Sequence, residues 1–179
     1  MPVDILAENP ILEKQLESAT PQRLMTLYKK WFKDNYPGQE IDYKIIKDSL
    51  DGTISKFRLN PLAEKHYSGL RYYPEIRIAE TDFGATRLTD LRGKLMDKLI
   101  AYPEQAIPFS ALFRCWEGDY SGAFNLLKVH MFYMREDLRI LYEKGGVDLS
   151  PYPIPVSVMT VGYKLSSEYD WKTLDRLSR

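Results

Sequence analysis

The run from 123 to 144, AFNLLKVHMFYMREDLRILYEK, constrains this chain more than any other stretch, because it carries two separate stripes at helical spacing. Leu127, Met131, Met134, Leu138 and Leu141 follow one another at steps of four, three, four and three residues. An α-helix gathers such residues on one face, and an apolar face of that length has to be buried. Asn125, Lys128, Phe132, Arg135 and Arg139 step three, four, three and four along a second face that holds three cations, an amide and an aromatic ring. Gly145-Gly146 closes the helix. A chain built around this element needs further helices or a sheet to cover the first stripe, and the second stripe asks for a partner or for water.

Composition narrows what the rest can be. Apolar residues make up 44% and charged residues 28% of 179, with 25 Lys plus Arg balancing 25 Asp plus Glu, so the chain is able to pack and is not basic overall. Its single cysteine, Cys115, excludes an intramolecular disulfide and a thiolate zinc site, and His66 and His130 are the only histidines. No metal or cofactor is expected. Phosphate loops, nucleophile elbows, zincin helices and dinucleotide fingerprints are all missing, and Glu136-Asp137, adjacent on a helix, diverge by about 100°. Catalysis is therefore not expected. No apolar run reaches the roughly 18 residues that span a bilayer, and the opening MPVDILAENP lacks a basic region followed by an apolar one. The expectation is a cytoplasmic protein with no membrane partner.

Along the chain, 11–19 is short and amphipathic, and Thr20-Pro21 opens a helix through Leu24, Leu27, Tyr28, Trp31 and Phe32 that ends near Tyr36, with Lys29, Lys30 and Lys33 on its wet side. The stretches 41–49 and 53–59 are rich in β-branched and aromatic residues around Asp51-Gly52, which predicts a β-hairpin. A loop with one helical turn over 62–68 and a strand over 75–80 follow, and Arg71, Tyr72 and Tyr73 form an aromatic and basic cluster that can seal a seam. Thr89 caps a helix over 90–101, and Pro108 opens a second through Phe109, Leu112, Phe113 and Trp116, stopped by Gly118. Cys115 belongs to its apolar side. The long helix comes next, then an apolar, β-rich stretch over 156–165 broken by Gly162, and a tail over 168–179 able to form one more amphipathic helix.

Three helices followed by a hairpin is the order of a winged helix-turn-helix, in which the third helix enters the major groove of DNA and the hairpin is the wing. The segment 86–166 resembles the C-terminal effector domain of OmpR/PhoB-type response regulators. Leu88-Thr89 match the start of that family's first helix, Leu112 and Trp116 the close of its second, and Val129, His130, Met131, Met134 and Arg135 a pattern on its third. Gly162, Tyr163, Lys164 and Leu165 match the end of its wing. About 80 of the 179 residues are covered. Departures are also present: Lys128 stands where the family has Asp, Tyr133 where Arg is common, and Met159-Thr160 where the wing carries Arg-Gly. The segment holds ten Lys plus Arg against nine Asp plus Glu. The N-terminal half is too short for the receiver domain of such regulators and shows a different element order.

The expected fold is thus α+β, with a small α+β region over 1–72 (helix then hairpin), a winged helix-turn-helix over 73–166 and a short tail over 167–179. The expected function is DNA binding by a transcription regulator. Helix 123–144 would read the major groove through Asn125, Lys128, Phe132, Arg135 and Arg139, and hairpin 156–165 would touch the backbone through Lys164. Double-stranded DNA is the expected partner, bound by a homodimer joined through Tyr28, Trp31, Phe32, Tyr36 and Tyr43 of the N-terminal half. The alternative is a protein-interaction module that binds RNA polymerase, another regulator or a scaffold, favoured by the near-neutral charge and the missing wing arginine.

Overall fold

The computed structural model describes residues 20–116, 122–145 and 152–169. The segments 11–19 and 170–179, with Gly118 and Gly146, lie outside the described residues. The chain divides into two compact units, residues 1–63 and 64–179.

In the first unit, helix α1 (Pro21–Asn35) begins where Thr20 Oγ1 accepts a hydrogen bond from the Arg23 N–H at 3.3 Å. It buries Leu24, Met25, Tyr28 and Phe32. Where a hairpin was expected over 41–59, the chain instead forms helix α2 (Tyr43–Lys56). The Asp42 carboxylate caps it by accepting from the N–H groups of Lys44 and Ile45. Ile46, Leu50 and Thr53 then fall on one buried face, and Lys44–Asp48 (3.0 Å) and Lys47–Asp51 (2.5 Å) pair one turn apart. A cap, a helical period and two ion pairs outweigh the turn preference of Asp51-Gly52, which lies inside the helix. The Tyr28 hydroxyl donates to Ser49 O and meets the Thr53 hydroxyl, tying α1 to α2.

The aromatic residues expected to join two copies are largely engaged within this helical pair. Tyr28 and Phe32 are buried, and Tyr36 packs on Phe32 and Trp31 at ring-centroid distances of 4.9 and 6.0 Å. Gly52→Ala separates the two readings of this region. In the middle of a helix, with nothing within 4 Å of an added Cβ, alanine should raise the unit's stability by about 0.5–1 kcal/mol; in a hairpin turn it would lower it. A urea titration followed by circular dichroism measures the sign.

The second unit opens with a four-stranded antiparallel sheet in the order β1 (Lys65–Tyr67), β2 (Leu70–Tyr73), β3 (Ile78–Thr81), β4 (Gly84–Arg87). Residues 62–68, expected as a loop with a helical turn, hold β1, and the strand expected over 75–80 starts only at Ile78, after a turn in which Arg77 has a φ of 57°. The expected boundary between residues 72 and 73 would cut through β2. Tyr72 and Tyr73 are core residues of this sheet, and Arg71 pairs across the strands with the buried Glu80 (3.1 Å) and with Asp82 (3.0 Å), so the aromatic and basic cluster is internal.

After the sheet come α3 (Asp90–Ala101), β5 (Ile107–Pro108), α4 (Phe109–Phe113), α5 (Ala123–Glu143), β6 (Ile154–Val158) and β7 (Gly162–Ser166). Pro108 is a strand residue and the cap of a shorter helix than expected, and Trp116 lies beyond that helix. The hairpin gains β5 as a third strand, in the order β5, β7, β6. Helix 123–144 stands within one residue of its expected end. Its stripe Leu127, Met131, Met134, Leu138 and Leu141 is fully buried against Leu95, Met96 and Leu99 of α3, Leu112 and the strand residues Ile154 and Leu165. Cys115 joins the same core. The fold is α+β with a winged helix-turn-helix.

Two close approaches require glycine. The Tyr72 hydroxyl donates to Gly93 O at 2.9 Å, and a Cβ on Gly93 would stand 2.8 Å from that hydroxyl. At Gly162 an added Cβ would lie 1.8 Å from Ile107 O, inside the β5–β7 pairing.

One carboxylate joins the two sheets. Glu104, in the turn after α3 with a φ of 64°, accepts hydrogen bonds from the Tyr67 hydroxyl (2.5 Å), the Ser167 N–H (2.8 Å) and the Ser166 hydroxyl (2.8 Å), and its backbone N–H donates to Leu165 O. Desolvation alone would raise its pKa. The hydrogen bonds from Tyr67, Ser167 and Ser166, with Lys164 at 3.5 Å, outweigh that effect and hold the carboxyl below its ordinary value.

Candidate nucleic-acid interface

Helix α5 carries the candidate site on the faces its buried stripe leaves outward. Asn125 and Lys128 are exposed, and Phe132 is 39% exposed with its ring edge-on to Tyr133. These three, with Val129, stand at spacings of three, four and seven residues from Asn125, so they share one face over the first part of the helix. Lys128 makes no ion pair among the described residues.

The other expected contacts are differently employed. Arg135 turns toward the hairpin, where its Nε–H donates to Pro155 O at 2.8 Å. Burial lowers its pKa from the ordinary arginine value, and the nearby Tyr163 partly offsets this. Arg139 lies between Glu143 (3.0 Å) and Glu136 (3.9 Å), and Lys164 leans toward Glu104. The stripe read from spacing therefore splits, with Asn125, Lys128 and Phe132 outward, Arg139 neutralised along the helix and Arg135 used as a bracket for the wing.

Spacing alone missed an apolar ridge. Leu126, Val129, Tyr133 and Ile140 are 40 to 56% exposed, at steps of three, four and seven residues. A complete buried stripe already existed in the sequence, so this third apolar row was the available signal. The wing tip is also apolar, with Met159 85% and Val161 44% exposed. Phe124, at 53%, packs against Phe109 and Phe113 of α4 at centroid distances of 5.0 and 4.9 Å and fixes the start of α5 against the preceding helix.

On the side toward α3, Arg92 pairs with Asp137 and lies over the Tyr133 ring at 5.5 Å. Desolvation raises the Asp137 pKa and Arg92 opposes it. His130 stands beside this pair with its Nδ1 buried and unpartnered, and burial, then Arg92, lowers its pKa from the ordinary histidine value. Among the described residues no group of three metal-ligating side chains converges. No helix among them is long and apolar enough to cross a membrane.

No protein-family model matches the sequence, and no curated protein matches it. Solved structures do. The C-terminal domain of the nisin resistance regulator NsrR, a lantibiotic response regulator, is similar over 57% of this chain and 96% of its own, with 19% identity and a TM-score of 0.44. The DNA-binding domain of the response regulator AdeR, solved in complex with an intercistronic region, is similar over 57% of this chain and 98% of its own, at 19% identity and a TM-score of 0.45. A third structure belongs to a family of redox sensors in the streptococci that evolved from two-component response regulators; it covers 68% of this chain, which spans half of its length, at 19% identity and a TM-score of 0.45.

Proposed function

We propose that the chain is a DNA-binding protein of the transcription-regulator class that places α5 in the major groove and the β6–β7 hairpin beside it as a wing. The observation that carries this reading is the topology: α3, α4 and α5 in helix-turn-helix order, followed by a hairpin bracketed to α5 through Arg135, with Asn125, Lys128 and Phe132 of α5 outward. Residues 123–133 contain no Asp or Glu, whereas 134–143 contain Glu136, Asp137 and Glu143, so the first half of α5 is the half compatible with phosphates. Two copies on repeated half-sites would supply the base contacts that one helix lacks.

The test is fluorescence anisotropy of the full chain against a random duplex pool at two salt concentrations. Binding that falls with salt supports the reading, and no binding at low salt sinks it. Because Arg135, Arg139 and Lys164 already have partners, the slope of log affinity on log salt should be shallow. Lys128→Ala should weaken binding on all sequences alike and reduce that slope by about 0.9, the value for one phosphate, with an unchanged melting temperature. A second reading, a protein-interaction module for a polymerase subunit, another regulator or a scaffold, draws on the exposed Leu126, Tyr133 and Ile140.

A further inference from the structure

The outward face of α5 has little cationic material and much apolar surface, and that imbalance indicates which base edges it suits. Asn125, Lys128, Val129 and Phe132 share one face, and Val129 is 49% and Phe132 39% exposed. Seven residues of helix rise about 10 Å, roughly three base-pair steps of 3.4 Å. In the major groove, guanine presents two acceptors that call for a bidentate arginine or lysine, adenine presents the donor and acceptor that an asparagine amide matches, and thymine presents a methyl group that apolar side chains contact. No arginine is outward on this part of the helix: the residues over 123–133 include no arginine, Arg135 donates to Pro155 O, and Arg139 is held by Glu143.

We infer that α5 reads an A·T-rich step, with Asn125 on adenine, Val129 and Phe132 against thymine methyl groups, and Lys128 on a flanking phosphate. This rests on the groove-reading function proposed above and names the sequence class it takes. The arrangement is chemically complementary: the amide and the two apolar side chains each have a partner on an A·T edge while Lys128 stays on the phosphate, whereas a G·C edge offers Val129 and Phe132 no methyl group and would call Lys128 away from the backbone to serve the guanine acceptors.

Replacing thymine by deoxyuridine removes only the 5-methyl group and leaves pairing, charge and backbone unchanged. The experiment compares three duplexes by anisotropy with the full chain: an A·T-rich site taken from a selected pool, the same site with uracil for thymine, and a G·C-rich duplex of equal length. The expected result is a loss of about fourfold for each contacted methyl removed, the factor for burying one methylene-sized group, and weaker binding still to the G·C-rich duplex. Val129→Ser, at an exposed helical position, should bind thymine and uracil duplexes more equally with an unchanged circular dichroism melt. Asn125→Ala should reduce the preference for A·T over G·C.

Equal affinity for the thymine and uracil duplexes, with binding intact, overturns this inference and leaves the groove-reading function standing. Equal affinity for the A·T-rich and G·C-rich duplexes does the same. Absence of any duplex binding at low salt overturns both and assigns the apolar face to a protein partner.

Discussion

Gly162→Val is expected to destabilise the second unit by about 3 kcal/mol or more and to separate β5 from the wing. At that position even a Cβ would lie 1.8 Å from Ile107 O and 2.8 Å from its carbonyl carbon, and both atoms are backbone held in the β5–β7 ladder. A flexible side chain can turn away from a new methyl group, but a paired carbonyl cannot move without breaking its strand. The Phe109 amide, which donates to Val161 O at 3.1 Å, reports the event locally. Hydrogen exchange at Phe109 should accelerate together with a fall in the denaturation midpoint; an unchanged midpoint with a protected Phe109 amide would show that β5 does not pair as described.

Glu104→Ala should cost about 2–3 kcal/mol, because it leaves the Tyr67 hydroxyl, the Ser166 hydroxyl and the Ser167 N–H without their shared acceptor. The pH dependence has a definite sign. A native pKa held below the ordinary value means that the ionised carboxylate stabilises the fold, fully above the unfolded pKa of about 4.3, and that this contribution is lost as pH falls through the depressed native value. Glu104→Gln should therefore flatten the acid limb of the stability profile below about pH 5. Denaturant midpoints at pH 7 and at pH 4 for both proteins provide the measurement, and parallel profiles would remove the carboxylate from this role.

Much of the second unit was legible because its signals are local and periodic. Leu95, Met96, Leu99 and Ile100 of 90–101, and the four-three steps of Leu127 to Leu141, describe faces that the structure buries as expected, although Thr89 stands before the first of these helices without a side-chain cap hydrogen bond. The 41–59 region was misread because β-branched residues and Asp-Gly outvoted a cap at Asp42 and two i, i+4 ion pairs, features that count only if a helix is first supposed. Strands β1 and β5, of three and two residues, are too short to show any period, and they exist because the sheets beside them offer partners. Side-chain employment is the hardest thing to read from spacing. Arg135 and Arg139 look alike as stripe residues, yet one donates to a strand carbonyl and the other sits between two glutamates, and both outcomes depend on neighbours fixed only in three dimensions.

The Arg135 bracket has a mechanical consequence. A guanidinium bonded to Pro155 O, together with the Tyr142 hydroxyl donating to Pro153 O at 2.6 Å, fastens the strand entering the wing to the helix at two points one strand pitch apart. Helix and wing are thereby held like the two jaws of a calliper set at one opening. If the two engage DNA as proposed above, these bonds oppose a change of span on contact, and selectivity would arise from gauge as well as from chemistry.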